Sequence, residues 1–261
     1  MARSALINVM VSAARKAGRS LVRDFGEVEK LQVSRKGPAD FVSSADRKAE
    51  EIVRDELEKA RPGYSFLGEE GGESHGADPQ HRWIVDPLDG TTNFLHGIPL
   101  FSVSIALERQ GRLQAGIVLN PITDELYSAE RGAGAFLNDR RIRVSARSNF
   151  AEAVVGTGIP MMGHGDHGQY LKDLAKVMAS SAGVRRCGSA AIDLAWVAAG
   201  RFDAFWERNL SPWDFAAGTL LVREAGGFVS TASGREKAME HGDIVAGNEA
   251  IHRHLVGLLK D

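Results

Sequence analysis

The chain has 261 residues, of which 43% are hydrophobic and 25% are charged, a composition typical of globular proteins. Its formal net charge of −2 provides no basic footprint, so direct sequence-specific binding of nucleic acid is not expected. No run of about 18 uncharged apolar residues occurs, so no membrane span is expected either. Cys187 is the only cysteine and no signal-peptide pattern precedes the first helix, which favours a cytoplasmic location.

Helical periodicity dominates the first 60 residues. Apolar residues recur over 6–25 at the spacing of one helix face, and Gly26 follows as a stop signal. Residues 34–39 contain Gly37 and Pro38 and are predicted to form a loop. A second helix is predicted from about residue 43 to 61, where a proline and a glycine end it.

Strands are predicted for the middle of the chain. Residues 64–67 form a short apolar run, and the polar, glycine-rich segment 71–80 after it is predicted to be a loop. From residue 83 to 144 the pattern is that of strands. Residues 101–108 and 112–119 flank Gln110 and Gly111 and are predicted to form a hairpin.

After about residue 150, strands alternate with helices, which predicts a layered α/β half. No linker separates the halves, so we expect one domain over 1–261 with subdomains of about 1–148 and 149–261, and a site at their junction. The predicted strands lie near 154–156, 184–186, 202–206, 228–229 and 244–245. The predicted helices lie near 170–178, 189–199, 212–225 and 248–259.

The segment 83–94 carries the strongest functional signal. An apolar strand leads into Asp86 and Asp89, and Gly90 follows with two threonines. Mg²⁺ prefers carboxylate oxygens together with water and substrate phosphate, and the amides that open a helix attract anions. The pattern predicts neighbouring metal and phosphate sites, although Asp-Gly turns and Asp or Thr caps also serve purely structural roles.

Two further acidic positions accompany this segment. Glu69 and Glu70 follow a predicted strand, where alternation points their side chains in different directions. Asp214 stands in the first turn of a predicted helix, behind Ser211 and Pro212. The structural alternatives are a solvated loop for the glutamates and a capping-box acid for Asp214.

These three motifs together resemble the signatures of the inositol monophosphatase family, in its bacterial cytosolic branch. The matching segments are 69–70, 86–94 and 213–218, and segments 186–193 and 224–227 also fit. The resemblance extends over about residues 6–259. It implies an α/β (α+β) fold, namely a five-layer αβαβα sandwich with an antiparallel-rich N-terminal sheet and a mixed C-terminal α/β half.

The resemblance also implies a set of metal ligands. Glu69, Asp86 and the carbonyl of Leu88 would hold a first Mg²⁺, and Asp86, Asp89 and Asp214 would hold a second. Glu69 could assist a third ion through waters, so two or three Mg²⁺ ions are expected. Sensitivity to Li⁺ is expected on the same basis.

Catalytic roles implied by the resemblance fall on Asp46, Thr91 and Glu69. The hydroxyl of Thr91, hydrogen-bonded to Asp46, would help to activate a water molecule. Asp46 has a structural alternative, because with Ser43 it also fits a capping box that opens the second helix. Glu70 is expected to support the metal ligands without contacting an ion.

Substrate contacts are implied along both sides of the junction. The amides of Gly90 and Thr91 would hold the phosphate, and Glu207 and Asp89 would accept hydrogen bonds from ring hydroxyls. Glu207 could instead be a solvated strand end. The full set of expected substrate-binding residues is Asp89, Gly90, Thr91, Thr92, Gly188, Ser189, Ala190, Glu207 and Asp214.

Several nearby residues have less definite roles. Asp193 is either structural or part of the substrate wall, and Lys36 either matches an active-site loop lysine or is solvated. His164 and His167 lie in a segment, 161–167, that departs from the family pattern, and they are not expected to be ligands of a hard metal ion. Cys187 has no histidine partner in the pattern and is expected to be a buried apolar residue rather than a nucleophile.

The leading prediction is therefore Mg²⁺-dependent hydrolysis of phosphate monoesters, with myo-inositol monophosphate converted to myo-inositol and phosphate. Related substrates on the same fold are histidinol phosphate, NADP(H) and fructose bisphosphate. A different class of function is a non-catalytic role in a ribosomal RNA transcription antitermination complex, with a transcription factor as partner. The resemblance also implies a homodimer.

Overall fold

The computed structural model describes residues 3–27, 33–37, 40–163, 165–236 and 238–260, and the side chains of 33–37, 40–43, 238 and 240 lie outside the description. The helices are α1 (Ala5–Phe25), α2 (Ser44–Ala60), α3 (Thr91–Leu95), α4 (His167–Met178), α5 (Ala190–Ala198), α6 (Pro212–Glu224), α7 (Ala238–His241) and α8 (Glu249–Leu259). Phe150–Glu152 forms a single 3-10 turn.

The strands of the N-terminal half are β1 (Val33–Gly37), β2 (Asp40–Ser43), β3 (Tyr64–Gly68), β4 (Gly72–Ser74), β5 (Asp78–Asp89), β6 (Ser102–Arg109), β7 (Arg112–Asn120), β8 (Glu125–Glu130), β9 (Gly134–Leu137) and β10 (Arg140–Ile142). Those of the C-terminal half are β11 (Val154–Thr157), β12 (Gly183–Arg185), β13 (Ala204–Glu207), β14 (Phe228–Ser230) and β15 (Ile244–Gly247).

Within the described ranges, the strands form a hairpin of β1 and β2, an eight-stranded sheet and a five-stranded sheet. The larger sheet has the order β10-β9-β8-β7-β6-β5-β3-β4 and is antiparallel except for the β3–β5 pair. The smaller sheet has the order β12-β11-β13-β15-β14 and mixes parallel with antiparallel pairs. The predicted contrast between an antiparallel-rich sheet and a mixed sheet is confirmed.

Helices and sheets alternate in five layers. Helices α1 and α2 pack on one face of the larger sheet, α5 and α6 fill the space between the two sheets, and α4 and α8 cover the outer face of the smaller sheet. Side-chain alternation drives this arrangement: in β5, Trp83 and Val85 pack toward α1 and α2, whereas Ile84 packs toward α5 and α6. The αβαβα sandwich is therefore confirmed.

Side chains at the helix starts explain where several helices begin. Ser4 accepts a hydrogen bond from Ile7 N at 3.1 Å before α1, and Asn248 accepts one from Ile251 N at 3.0 Å before α8. Such caps satisfy amides that have no partner within the helix. Helix α5 begins in the same way behind Ser189, whose hydroxyl also reaches the cleft described below.

Three predictions of local structure need correction. Residues 34–39 are not a loop throughout, since β1 and β2 pair as an antiparallel hairpin; Pro38 lies outside the described residues. The predicted loop 71–80 contains β4 and the start of β5, because pairing with β3 satisfies the backbone of this polar segment. The short helix α7 lies in a segment where no helix was predicted.

Asp86 and Asp89 both belong to β5, which runs through Pro87. Pairing with β6 continues to Asp89, but the register shifts between Asp86 and Asp89. A local irregularity of this kind re-aims side chains without ending a strand. None of the helices in the described part of the chain combines the length and the apolar character needed to cross a bilayer.

Candidate active site

A cleft lies where residues of both halves meet. It brings together side chains from the end of β5, the loop after β3, the start of α5, the end of β13 and the start of α6. Of the predicted site residues, those that line it are Glu69, Asp89, Gly90, Thr91, Thr92, Gly188, Ser189, Ala190, Glu207 and Asp214. Asp46, Asp86 and Leu88 lie beneath this lining, each about 1 to 2% exposed.

Asp86 lies at the base of the cleft. One of its oxygens, Oδ1, accepts a hydrogen bond from Leu88 N at 2.9 Å, which sets the carboxylate in the irregular stretch of β5. Burial raises the pKa of Asp86 well above its ordinary value, and repulsion from Glu69, Asp89 and Asp214 raises it further. The four carboxylates are therefore close enough to repel one another.

Asp89 connects the two halves of the molecule. Its Oδ2 accepts hydrogen bonds from Ser189 Oγ at 2.6 Å and from Ala191 N at 2.7 Å, both at the start of α5. Burial raises the pKa of Asp89 to about 6, and these hydrogen bonds oppose that rise. The hydroxyl of Ser189 is thereby engaged with Asp89 at the edge of the cleft.

Asp214 accepts a capping hydrogen bond and also faces the cleft. Ser211 N donates a hydrogen bond to Asp214 Oδ2 at 2.7 Å, which is the capping arrangement at the start of α6. The same carboxylate lines the cleft, and its pKa is raised well above the ordinary value by burial and then by Asp89. A capping bond occupies only one carboxylate oxygen, so capping does not prevent the other from serving a ligand.

Thr91 and Asp46 are in direct contact. Thr91 Oγ donates a hydrogen bond to Asp46 Oδ1 at 2.8 Å and lies 3.1 Å from the Leu88 carbonyl oxygen. Helix α3 begins at Thr91 behind Gly90, whose φ of 103° is unfavourable for other residues. A Cβ atom on Gly90 would also lie 3.0 Å from Leu100 O, so the turn that presents Thr91 requires glycine.

The opposite wall carries two further acids. Glu207 ends β13 inside the cleft, so it is not a solvated strand end, and burial raises its pKa to about 8. Asp193 is 1% exposed, burial raises its pKa well above the ordinary value, and its Oδ1 has no hydrogen-bond partner within the described residues. Burial also raises the pKa of Cys187 to about 12, so this thiol is protonated at neutral pH and is not a nucleophile.

Some residues of the cleft were not predicted from the sequence. Arg186 and Met161 line the cleft. Asn93 connects segments beside it by donating hydrogen bonds to Leu100 O at 2.7 Å and to Cys187 O at 2.8 Å. Asn93 and Arg186 lie inside segments 86–94 and 186–193, which resemble the family. Their place in those segments was the signal that could have identified them as residues of the cleft. Met161 belongs to the segment that departs from the family pattern.

Of the two histidine candidates, the one that the structure describes lies outside the cleft lining. His167 begins α4, and its Nε2 lies 3.1 Å from Met161 O. His164 and the side chain of Lys36 lie outside the described residues.

The carboxylates of the cleft fit a divalent cation. Asp86, Asp89 and Asp214 have no Lys, Arg or His ion-pair partner among the described residues, and burying unpaired charges is costly unless a counter-ion compensates them. Across the described part of the chain, no three His, Cys, Asp or Glu side chains already form a metal-binding group. The negative charges of these carboxylates repel one another. A bound cation would offset this repulsion, so we expect the carboxylates to move closer together when a cation binds.

The raised pKa values predict how stability depends on pH in the absence of metal. Burial raises the pKa of Glu207 to about 8 and that of Asp89 to about 6, so the folded protein binds more protons than the unfolded chain between about pH 4 and pH 8. The free energy of unfolding should therefore fall as the pH rises through this window. Thermal unfolding in chelator should show a melting temperature that decreases from about pH 5 to about pH 8.5.

Glu207→Gln provides the control, because it removes a group whose pKa burial raises to about 8. The melting temperature of this variant should decrease less above about pH 6 than that of the wild type. A melting temperature that instead rises in the wild type across the window would contradict the raised pKa values.

The five-layer fold places a cleft of buried carboxylates beside a helix start, an arrangement that suits an enzyme acting on a phosphate with a divalent cation. The model of the inositol monophosphatase family matches residues 2–261, and the chain belongs to this family. Family members are generally metal-dependent.

Individual relatives agree with this assignment. The chain is similar to inositol-1-monophosphatase of Rhizobium meliloti strain 1021, with 66% identity over 98% of this chain and 96% of the relative. It is also similar to Nus factor SuhB of Pseudomonas aeruginosa, with 45% identity over 96% of this chain and 94% of the relative. Among solved structures, extragenic suppressor protein suhB from Bartonella henselae superposes with a TM-score of 0.96 and 62% identity, covering 99% of both chains.

Proposed function

We propose that this enzyme hydrolyses phosphate monoesters of polyols with Mg²⁺ as cofactor, and that myo-inositol monophosphate is its substrate. The observation that carries the proposal is the convergence of the buried carboxylates of Asp86, Asp89 and Asp214 with the Thr91–Asp46 hydrogen bond in one cleft. The name of the Rhizobium meliloti relative supports the substrate.

The chemistry explains why a metal is needed. Hydrolysis of phosphate monoesters is among the slowest uncatalysed reactions, and enzymes accelerate it by up to about 10²¹-fold. A general base contributes about 10²–10⁴-fold, so the remainder must come from other sources. When bound, a divalent cation neutralises phosphate charge and lowers the pKa of water.

The residues that would hold Mg²⁺ are those of the family pattern. We assign Glu69, Asp86 and the carbonyl of Leu88 to one ion, and Asp86, Asp89 and Asp214 to another, with Glu69 assisting a third through water. Asp86 has the position expected of a shared ligand, because its pKa responds to all three of the other carboxylates. Oxygen ligands of this kind favour Mg²⁺ over softer metals.

Thr91 and Asp46 would handle the proton of the attacking water. Because Thr91 Oγ donates its hydrogen to Asp46, its lone pairs point elsewhere and can accept a hydrogen bond from water. Proton transfer from that water to Thr91 Oγ would be accompanied by transfer of the threonine proton to Asp46 Oδ1. Glu69 also lines the cleft and would help to orient the water.

The wall opposite these groups would hold the polyol. Glu207 and the free oxygen of Asp89 would accept hydrogen bonds from ring hydroxyls, while Gly188, Ser189 and Ala190 would pack against the ring. The amides of Gly90, Thr91 and Thr92 would bind phosphate oxygens at the start of α3. Asp193 completes the wall as a buried acid with one unpartnered oxygen.

Phosphate release from a panel of monoesters provides the test of substrate and metal together. We expect the largest kcat/KM for inositol monophosphates, compared with histidinol phosphate, NADP and fructose bisphosphate. Activity should disappear with chelator and return with Mg²⁺, and Ca²⁺ should inhibit because it prefers looser coordination. Li⁺ should also inhibit. Undiminished turnover after exhaustive removal of metal would contradict the proposed chemistry.

A second function is favoured by one specific observation, namely that relatives from Pseudomonas aeruginosa and Escherichia coli, 45% and 42% identical, carry the name Nus factor SuhB. We propose that this chain can also join a transcription antitermination complex through a protein partner. Affinity purification from the native host, compared between wild type and an inactive cleft variant, tests it. Failure of both forms to retain antitermination factors would contradict this role.

We further propose a cytoplasmic homodimer, built from single-domain protomers with subdomains divided near residue 148. The single cysteine supports a reducing compartment, and closed two-fold dimers are the commonest homo-oligomers. Light scattering at micromolar concentration should give about twice the chain mass of 28.1 kDa. A mass near the single-chain value would contradict the dimer.

A further inference from the structure

Glu50 is a buried acid of α2 that the proposed chemistry does not use. The residue is 4% exposed, and its two carboxylate oxygens accept hydrogen bonds from the loop that follows β3. Glu70 N donates to Oε2 at 2.9 Å and Gly71 N donates to Oε1 at 2.8 Å. Charge-assisted bonds of this kind are stronger than neutral ones, so they hold this backbone in place directly after Glu69.

The local sequence is adapted to this contact. A Cβ atom at Gly68 would collide with Glu50 Oε2, and one at Gly71 would lie 2.7 Å from Oε1. Arg54 lies one helical turn further along, 3.7 Å from Glu50 Oε1, and its guanidinium stacks 4.0 Å over the Phe66 ring. The glycines admit the carboxylate, and the arginine compensates its buried charge.

The same face of α2 supports a second part of the cleft. Asp46 lies four residues before Glu50, and residues at that spacing are neighbours on a helix surface. Asp46 accepts the hydrogen bond from Thr91 at the start of α3. One helix face therefore holds both the loop that presents Glu69 and the threonine proposed to handle the water proton.

We propose that Glu50 is a positioning residue that sets the affinity of the cleft for its divalent cation, by fixing the loop that presents Glu69. The inference rests on the proposed metal role of Glu69. Residues that support metal ligands without touching the ion typically change metal affinity by about 10–100-fold when they are replaced.

Glu50→Gln tests the proposal, because it preserves size but replaces one accepting oxygen with an amide that only donates. The Mg²⁺ concentration for half-maximal phosphate release should rise about 10-fold, while kcat at saturating Mg²⁺ changes less than about threefold. Glu51→Gln is the matched control, since Glu51 is the exposed neighbour on α2 and the charge change is the same. It should leave the Mg²⁺ requirement unchanged.

Hydrogen exchange in metal-free protein gives a readout that does not depend on activity. The amides of Glu70 and Gly71 should exchange faster in Glu50→Gln than in wild type or Glu51→Gln, with exchange in α8 unaltered. If Glu50→Gln fails to fold, Glu50→Asp allows the same comparison, because it retains the charge but shortens the side chain.

Glu69→Gln separates the possible failures. If it raises the Mg²⁺ requirement and Glu50→Gln does not, the positioning role is overturned while the proposed metal role of Glu69 stands. If Glu69→Gln leaves the Mg²⁺ requirement unchanged, the metal assignment is wrong and the positioning role fails with it. Unchanged exchange of the Glu70 and Gly71 amides in Glu50→Gln would also overturn the proposal.

Discussion

Asp214→Asn is expected to reduce turnover by at least about 100-fold. Loss of a residue that only supports a metal ligand costs up to about 100-fold, so loss of a ligand itself should cost at least as much. The fold should survive, because an asparagine oxygen can still accept the hydrogen bond that Ser211 N now donates to Asp214 at 2.7 Å. Loss of capping strength alone would cost at most about 1 kcal/mol of stability. Steady-state phosphate release and thermal unfolding of the same samples measure both quantities.

In the metal-free protein, the same substitution is not expected to lower stability. Burial and repulsion from Asp89 and Glu69 raise the pKa of Asp214 well above its ordinary value, so removing this charge should relieve repulsion in the cleft. Without metal, the melting temperature of Asp214→Asn at about pH 8 should equal or exceed that of wild type. The stabilisation that Mg²⁺ produces should be smaller in the variant, since one ligand has been lost.

Asp166→Asn is the matched control, because Asp166 caps α4 by accepting a hydrogen bond from Gln169 N at 2.9 Å. The substitution makes the same chemical change at an exposed helix start. It should retain wild-type turnover and the full response to Mg²⁺. Near wild-type turnover in Asp214→Asn would limit Asp214 to its capping role and remove it from the proposed metal set.

Thr91→Ala and Asp46→Asn are each expected to slow turnover by about 10²–10⁴-fold, the usual contribution of proton transfer by a positioned group. Their contact at 2.8 Å makes them a single unit, and the losses within such a unit are not additive. The double variant should therefore be only slightly slower than either single variant. KM should change far less than kcat, because the proposed phosphate contacts are backbone amides that both substitutions retain.

Thr91→Ser serves as the conservative comparison, since it retains the hydroxyl and removes only a methyl group. It should recover most of the activity that Thr91→Ala loses. Additive losses in the double variant would show that the two residues act independently. Asp46 would then have only a structural role in the first turn of α2. Unimpaired turnover in Thr91→Ala would exclude the threonine from proton transfer.

Most helices and strands could be predicted because their signals are local. Periods of 3.6 and 2 residues, together with glycines and cap residues, located α1, α2 and the alternating elements of the second half to within a few residues. The predictions failed where a polar segment gains its structure from a partner strand. Residues 72–74 become β4 only because β3 pairs with them, and a short polar run carries no periodic signal for that pairing.

The candidate site divides in the same way. The sequence by itself determined the chemistry available, since carboxylates beside Gly90 and a helix start predict binding of metal and phosphate wherever the chain places them. Only the tertiary structure decided which acids meet, because Glu69, Asp86 and Asp214 are separated by up to 145 residues and converge through the larger sheet and α6. Their pKa values also depend on burial and on neighbours from distant segments, and no local pattern encodes either quantity.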